Sequence, residues 1–467
     1  MIRVVQDDLG GFGDARLQRV GGRLLAAMRE QPTMCVHALA EDRNEALAFG
    51  RFLDHDGVSH AEMLVTAGRL TGQRAAGRHV LAVQDTTELN FPEHAASKRG
   101  FGRSGNGQDI GLFIHPTIAL DAKSGGVIGL VGAQLINRTS GKVSDRKARP
   151  AAAKESQRWL NAAEEAGEVL AAAEMITVVA DRESDIYDQF ARRPAGVHLL
   201  SRSAQDRALT TGLVLSKTIA GWREQDRFTI DVPEVPKRPA RTACVALRFG
   251  RVALRRPETA DRRLAGSVEL FVVDVAEVDP PAGCAPLHWR LLTTHVVTTP
   301  AEARQIVAWY RLRWTIEQVF RTLKSAGLQV ERSQVIEARR FMKLAVVALI
   351  AAVRIVQIVL GRDGQTGQGM ADAIDPATAP ALAAINRRVE GNTAKLRNPH
   401  TPTSLAWLCW IVARLGGWSG YTSSGYKPPG PKTIARGLTR LDGFIEGWNL
   451  ALQAKNPPGH SEDVRLP

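Results

Sequence analysis

The stretch Tyr310-Arg-Leu-Arg313-Trp-Thr-Ile-Glu317-Gln-Val-Phe-Arg-Thr-Leu-Lys324 organises the reading of the whole 467-residue chain. On an α-helix turning about 100° per residue, Tyr310, Arg313, Glu317 and Lys324 fall within an arc of roughly 60°. A tyrosine, a carboxylate and two cations then share one face. Leu312, Ile316, Val319, Phe320 and Leu323 form an apolar stripe beside them that can anchor the helix to a core. A carboxylate flanked by cations can hold a metal ion while the cations hold phosphate. A solvated helix with ordinary charge pairs accounts for the same pattern, and taken alone it is the better account.

Two further segments shift that balance. In Leu81-Ala-Val-Gln-Asp85-Thr-Thr-Glu, an apolar run reads as a buried strand over 80–86 with Asp85 at its C-terminal end. In Met175-Ile-Thr-Val-Val-Ala-Asp181-Arg-Glu-Ser-Asp, a β-branched run ends in Asp181, and Ser184 or Asp185 can cap a following helix. Each aspartate alone reads as a strand-end turn residue. Together with Glu317 they make a three-carboxylate set, the oxygen donors that Mg²⁺ takes alongside substrate phosphate. Two such ions can drive phosphodiester displacement.

These residues carry a resemblance. Tyr310, Arg313, Glu317 and Lys324 match the Y-(2)-R-(3)-E-(6)-K signature of one branch of the DDE transposases of bacterial insertion sequences, the IS four family. Gln84-Asp85-Thr-Thr resembles the family's first aspartate segment, and Ala180-Asp181-Arg-Glu-Ser-Asp-Ile-Tyr its second. The likeness extends to Phe12-Gly-Asp-Ala-Arg-Leu, to Ala46-x-x-x-Gly-Arg-Phe-Leu53 and to Pro428-Pro-Gly-Pro-Lys-Thr, and so spans nearly the whole chain. It implies Asp85, Asp181 and Glu317 as catalytic metal ligands for Mg²⁺, with Mn²⁺ able to substitute. It also implies DNA contacts through Tyr310, Arg313 and Lys324. Trp289 resembles the family's tryptophan that receives a flipped base, an act that stacking on an aromatic face favours. A core tryptophan at a domain junction fits Trp289 nearly as well. Arg202 resembles an arginine that contacts DNA near the scissile end, and a plain salt bridge is a close alternative.

Composition agrees. The net charge is +13 and the pI about 9.9, a balance that favours polyanionic partners without itself defining a function. Cys35, Cys244, Cys284 and Cys409 are scattered, with no C-x-x-C pair. Neither a zinc site nor a disulfide framework follows, and a reducing cytosol fits; the resemblance implies a bacterial cytoplasm, near the nucleoid. The first residues lack the apolar run of a signal peptide. The apolar segment 344–360 is short for a membrane span and carries Arg354 and Gln357, so a buried core helix is expected and no membrane.

The pattern of elements together with the resemblance implies an α/β fold, a ribonuclease-H-like core with a mixed sheet and flanking helices. A β-rich insertion interrupts it, and helical regions lie at both ends. Residues 1–75 read as a helical DNA-binding domain, whose basic helix with Arg16, Arg19, Arg23 and Arg29 can grip phosphates or simply be solvated. Residues 76–203 form the first part of the core, with strands near 80–86, 111–120, 126–135, 175–181 and 197–203 and a helix near 150–173. The loop from Lys98 to Gly107 fits G-x-G-x-x-G but does not open a helix after a strand. It is therefore expected as a flexible basic loop near DNA, not a nucleotide site, with an idle surface loop as the alternative. Alternation over 228–232, 245–249 and 268–272 marks the insertion, 204–285, as antiparallel sheet. The core resumes over 286–362 with the signature helix, whose first turn Pro300 and Glu302 suit. Residues 363–467 are expected as helices near 404–415 and 435–453 that pair two protomers by resemblance. Trp407, Trp410, Trp418 and Trp448 there suit a helical core, and a disordered tail is expected from 455.

The functional expectation is a cut-and-paste DNA transposase acting as a homodimer in a synaptic complex. Its DNA partners are double-stranded ends with terminal inverted repeats, and target DNA. By resemblance, metal activates water to nick the end, the freed 3′-hydroxyl closes a hairpin, and 3′ ends are later joined to target. A metal-dependent nuclease that cuts without joining remains open. So does a non-catalytic DNA-binding derivative, against which the intact carboxylates argue.

Overall fold

Residues 80–83 set the architecture, because their side chains alternate between two cores. Leu81 and Val83 enter one, Val80 and Ala82 the other, and all four are fully buried. Such a strand needs cover on both faces, which is why it is apolar without a polar side. The computed structural model describes residues 9–31, 33–105, 107–138, 157–232, 240–325, 327–420 and 428–455.

Four helices come first: α1 (Ala15–Glu30), α2 (Val36–Leu39), α3 (Arg43–Asp54) and α4 (His60–Ala75). Asp14, Asp42 and Ser59 cap α1, α3 and α4 through their side-chain oxygens. Arg29, expected among the phosphate-gripping arginines, is 1% exposed and pairs with Asp442 at 3.2 Å. It holds helices together; Arg16 and Arg19 remain exposed, and exposed Arg23 pairs with Glu45.

The sheet begins with β1 (His79–Gln84), β2 (Thr87–Asn90), β3 (Gly102–Arg103), β4 (Ile110–Asp121) and β5 (Val127–Ile136). After helix α5 (Gln157–Val169) come β6 (Met175–Ala180), helix α6 (Tyr187–Ala191), β7 (Val197–Arg202) and helix α7 (Leu215–Ala220). The region of the insertion contributes β8 (Asp226–Val232), β9 (Arg241–Arg255) and β10 (Ser267–Glu277), and β11 (His288–Thr293) follows it. The order β2-β4-β1-β6-β7-β11-β10-β9-β8 is one continuous mixed sheet, with β3 and β5 paired to β4. The antiparallel strands β8–β11 thus extend the central sheet through the β7–β11 pair. The strands match their expected positions within two residues. The short β2 and β3 were not anticipated, since four residues and two carry too little periodicity to read. The helix expected near 150–173 is described from Gln157, and its first part lies outside the described residues.

Helix α10 (Ala338–Gly361) packs on β5, α1, α4 and the helix before it. It is the one described helix long and apolar enough to cross a membrane, and 83% of its apolar window is buried. Arg354 bonds Gln357, whose amide reaches the carbonyls of Val127 and Asp372. The expected core helix is what is found. A third core joins α10 to α11 (Ala379–Val389), α12 (Leu405–Leu415) and α13 (Pro431–Lys455). Trp407 and Trp410 are buried in it and Trp418 and Trp448 pack against it. The tail expected to be disordered lies, beyond Lys455, outside the described residues.

Two expectations are corrected. The loop after residue 97 is not a flexible basic strip at its start. Lys98 is buried, its ammonium donates to the carbonyls of Ser333 and Val335 at 2.7 Å each, and it lies 4.4 Å from the Phe91 ring centre. A buried ammonium needs such acceptors, and once it has them the segment is pinned. Second, neither Ser184 nor Asp185 caps α6. Asp185 is buried and pairs with Arg207 at 2.6 Å, and the capping aspartate is Asp181 itself, on the turn Arg182–Ser184.

Candidate active site

Strands β1 and β6 run parallel, with Val83 opposite Val179. Two residues on, Asp85 and Asp181 leave the sheet at the same level on neighbouring strands, which lie about 4.8 Å apart. The C-terminal edge of parallel strands is where such folds place ligands. Each carboxylate is fixed by a nearby amide. Thr86 N–H donates to Asp85 Oδ1 and Glu183 N–H to Asp181 Oδ1, both at 2.8 Å.

The signature segment arrives as two helices, not one. A capping box of Thr299 and Glu302, with Pro300 in the first turn, starts α8 (Pro300–Leu312); α9 (Trp314–Lys324) follows at once. At Arg313 the backbone tightens: Arg313 N–H reaches the Tyr310 carbonyl and Ile316 N–H the Arg313 carbonyl, both i→i−3 bonds of 3.1 Å. The four signature residues therefore do not lie on one regular helical stripe, yet three of them converge. Arg313 Nη1 sits 2.8 Å from Asp85 Oδ2 and 3.4 Å from Glu317 Oε1. Lys324 stands two turns along α9 and pairs instead with Glu331 at 3.7 Å.

Burial pushes the Asp85 carboxyl up to about 7, with the charges of Asp181 and, less strongly, Glu317 adding to it against the pull of Arg313. Burial works against the Arg313 charge, but Tyr310, Asp85, Glu317 and Asp181 together hold its pKa above the ordinary value. Tyr310 is 6% exposed, and burial raises its hydroxyl pKa.

Trp289 lies edge-on to Tyr310, with ring centres 5.6 Å apart, and is only partly buried. Arg202 donates to the His288 carbonyl at 3.1 Å, and its charge is close enough to Tyr310 to oppose part of the rise that burial causes there. Trp289, Tyr310 and Arg202 thus form one wall beside the carboxylates. Trp314 was not singled out from sequence. It is 51% exposed and adjoins Arg313, and its position inside the signature was the signal available.

The donor set is three hard carboxylates, and after burial it is Asp181 that most raises the cost of charge on Asp85. A divalent cation relieves that cost, so the chemistry fits Mg²⁺. The spacing is not that of a closed metal cage. Among the described residues no group of three His, Cys, Asp or Glu side chains is gathered tightly enough to hold an ion. Arg313 stands where the carboxylates of Asp85 and Glu317 would otherwise approach.

Residues 76–354 match the family described as Transposase DDE domain. The match covers more than half of the chain and contains Asp85, Asp181, Glu317 and the surrounding wall. Membership implies metal-dependent chemistry in general. With the carboxylates in chain order on two strand ends and a helix, this chain belongs to the transposase DDE domain family.

Proposed function

We propose that this protein is a cut-and-paste transposase of the IS four branch, built on a ribonuclease-H-like core. It binds the inverted-repeat ends of an insertion sequence, cleaves them and joins their 3′ ends to target DNA. The observation that carries the reading is the level placement of Asp85 and Asp181 on β1 and β6, with Arg313 and Glu317 delivered across from the step between α8 and α9. Carboxylates after the first and fourth main strands, on neighbouring ends of a mixed sheet, support the ribonuclease-H-like assignment.

Asp85, Asp181 and Glu317 would hold Mg²⁺, with Mn²⁺ as a substitute. The bound metal supplies activation of a water or 3′-hydroxyl and stabilisation of the leaving oxygen. The protein's own groups do the rest. Arg313, now satisfied by Asp85, is the cation nearest the carboxylates and turns to a DNA phosphate when one arrives. Lys324 offers a second, more distant phosphate contact. Tyr310 and Trp289 give a partly open aromatic wall on which a base displaced from the duplex stacks, which suits a hairpin step. Arg202 anchors the backbone beside that base. The N-terminal helices bind DNA and the C-terminal helical region pairs two protomers around two DNA ends, in the bacterial cytoplasm.

The test uses a plasmid carrying this gene with its native flanking DNA, incubated with purified protein and Mg²⁺, and sequencing of the released ends. Defined cuts at inverted repeats, absent with Asp181→Ala or EDTA, support the reading. Random nicking would identify a nuclease. Retained end binding with no cutting by the intact protein would point to a regulator.

A further inference from the structure

The two aspartates are held by backbone amides, and those amides belong to Thr86 and Glu183. One side chain reaches both residues. Arg158, near the start of α5, donates from Nε to Thr86 Oγ1 at 3.0 Å and from Nη2 to Glu183 Oε2 at 3.1 Å. The guanidinium is a rigid fork, so its two arms fix the separation of what they hold.

The Thr86 end is anchored in the core. Arginine only donates, so Thr86 Oγ1 accepts from Arg158 and its own hydrogen points to His115 Nδ1, 2.8 Å away. The proton of His115 then lies on Nε2, 3.0 Å from Gln84 Oε1, and the Gln84 amide continues to the Trp159 carbonyl at 3.4 Å. His115 and Gln84 are fully buried. Burial and the nearby Arg158 hold His115 neutral, with its pKa pushed down to about 3, which this one-way chain requires. The chain also returns to α5, because Trp159 follows Arg158.

We infer that Arg158 is a positioning residue that ties together the two strand-end turns carrying Asp85 and Asp181, through Thr86 and Glu183. It sets how far apart the two carboxylates stand. The inference rests on the proposed role of those carboxylates. It concerns a side chain on the far side of the aspartates from Arg313, reached by neither the signature nor the aspartate motifs. Outer residues that orient metal ligands typically change metal affinity or activity by about 10–100-fold when removed.

The experiment is amide hydrogen exchange by mass spectrometry, resolved at Thr86 and Glu183, on the full chain without DNA. Arg158→Ala should speed exchange at both amides by about tenfold or more, since each loses its support. The exposed partner gives the sharper test. Glu183→Ala, at a side chain 60% exposed, should keep the fold and still loosen Thr86 on the other strand end. Arg158→Lys keeps the charge but not the fork, and should fail to restore at least one amide. In parallel, Arg158→Ala should weaken Mn²⁺ binding, followed by calorimetry, by about 10–100-fold while end-DNA affinity stays within about twofold. An unchanged Thr86 amide in Glu183→Ala overturns the inference. Full restoration by lysine, or loss of DNA affinity with exchange unaltered, does so too. A wild-type protein that cuts no DNA would defeat the transposase reading and leave the exchange result to decide the role of Arg158.

Discussion

Arg313 Nη1 lies 2.8 Å from Asp85 Oδ2, so the arginine at the step between α8 and α9 reaches the aspartate at the end of β1. The same nitrogen is 3.4 Å from Glu317. On the proposed function, Arg313 and a divalent cation would compete for the same carboxylates. Arg313→Gln should bind Mn²⁺ without DNA at least as tightly as the wild type, while end cleavage falls by about 100-fold or more through loss of the phosphate contact. Calorimetry and a plasmid cleavage assay measure the two. Weaker metal binding in the variant would show that Arg313 supports the metal site instead of occupying it.

Asp85 has an ordinary value of 3.8 and is raised to about 7 in the fold. An acid raised on folding contributes stability that is fully present below pH 3.8 and lost as pH rises through 7. Asp85→Asn should therefore stabilise the metal-free protein at pH 8, by an amount on the order of 2 kcal/mol, and change little at pH 4. Thermal melts at the two pH values check this. Wild-type Mn²⁺ affinity should also fall as pH drops below 7, because the ion must displace that proton.

Trp289 packs edge-on to Tyr310 and keeps part of its surface open. Trp289→Ala should slow hairpin closure by about tenfold or more and leave the first nick nearly unchanged, since removing one stacking aromatic costs about 1–3 kcal/mol. Time courses on a labelled end fragment separate the steps. Equal losses at both would remove the base-stacking role.

At the opposite end of the strands, His79, His198 and His295 cluster around Thr177 and Trp309, with the His198 and His295 rings stacked 4.0 Å apart. Burial lowers all three, His295 to about 3, and Arg193 lowers His198 and His295 further. Glu174 and Asp121 oppose this at His79. A base depressed on folding contributes stability present above its unfolded value, about 6.5, and lost as pH falls below it. This contribution should fall between pH 7 and pH 5, opposing the gain from Asp85 over the same range, and His295→Gln should remove part of that fall from the melting curve. A curve of unchanged slope in the variant would place the acid sensitivity elsewhere.

Lys98 serves the fold. Lys98→Ala would strand the Ser333 and Val335 carbonyls and should destabilise by about 2–3 kcal/mol in urea unfolding, with DNA affinity kept. Loss of DNA affinity at unchanged stability would restore the DNA-facing reading of that loop.

What the sequence determined by itself is what local pattern encodes. The apolar runs before Asp85 and Asp181 marked two buried strands with acids at their ends, and the four-residue signature marked a helical segment, which folds as α8 and α9. Apolar density, broken by Arg354 and Gln357, identified α10 as core. The tertiary structure decided everything that depends on partners distant in the chain. The break at Arg313 is a single tightened turn that no periodicity announces. Arg29 and Lys98 looked like surface cations because charge was visible and their buried acceptors, on residues hundreds of positions away, were not. Arg158 reaches Thr86 and Glu183 from a third element, and only the packing of α5 against β1 and β6 brings those groups within hydrogen-bond range. Sequence names the groups able to do the chemistry; long-range packing decides which charges stay exposed and which are consumed in holding the fold.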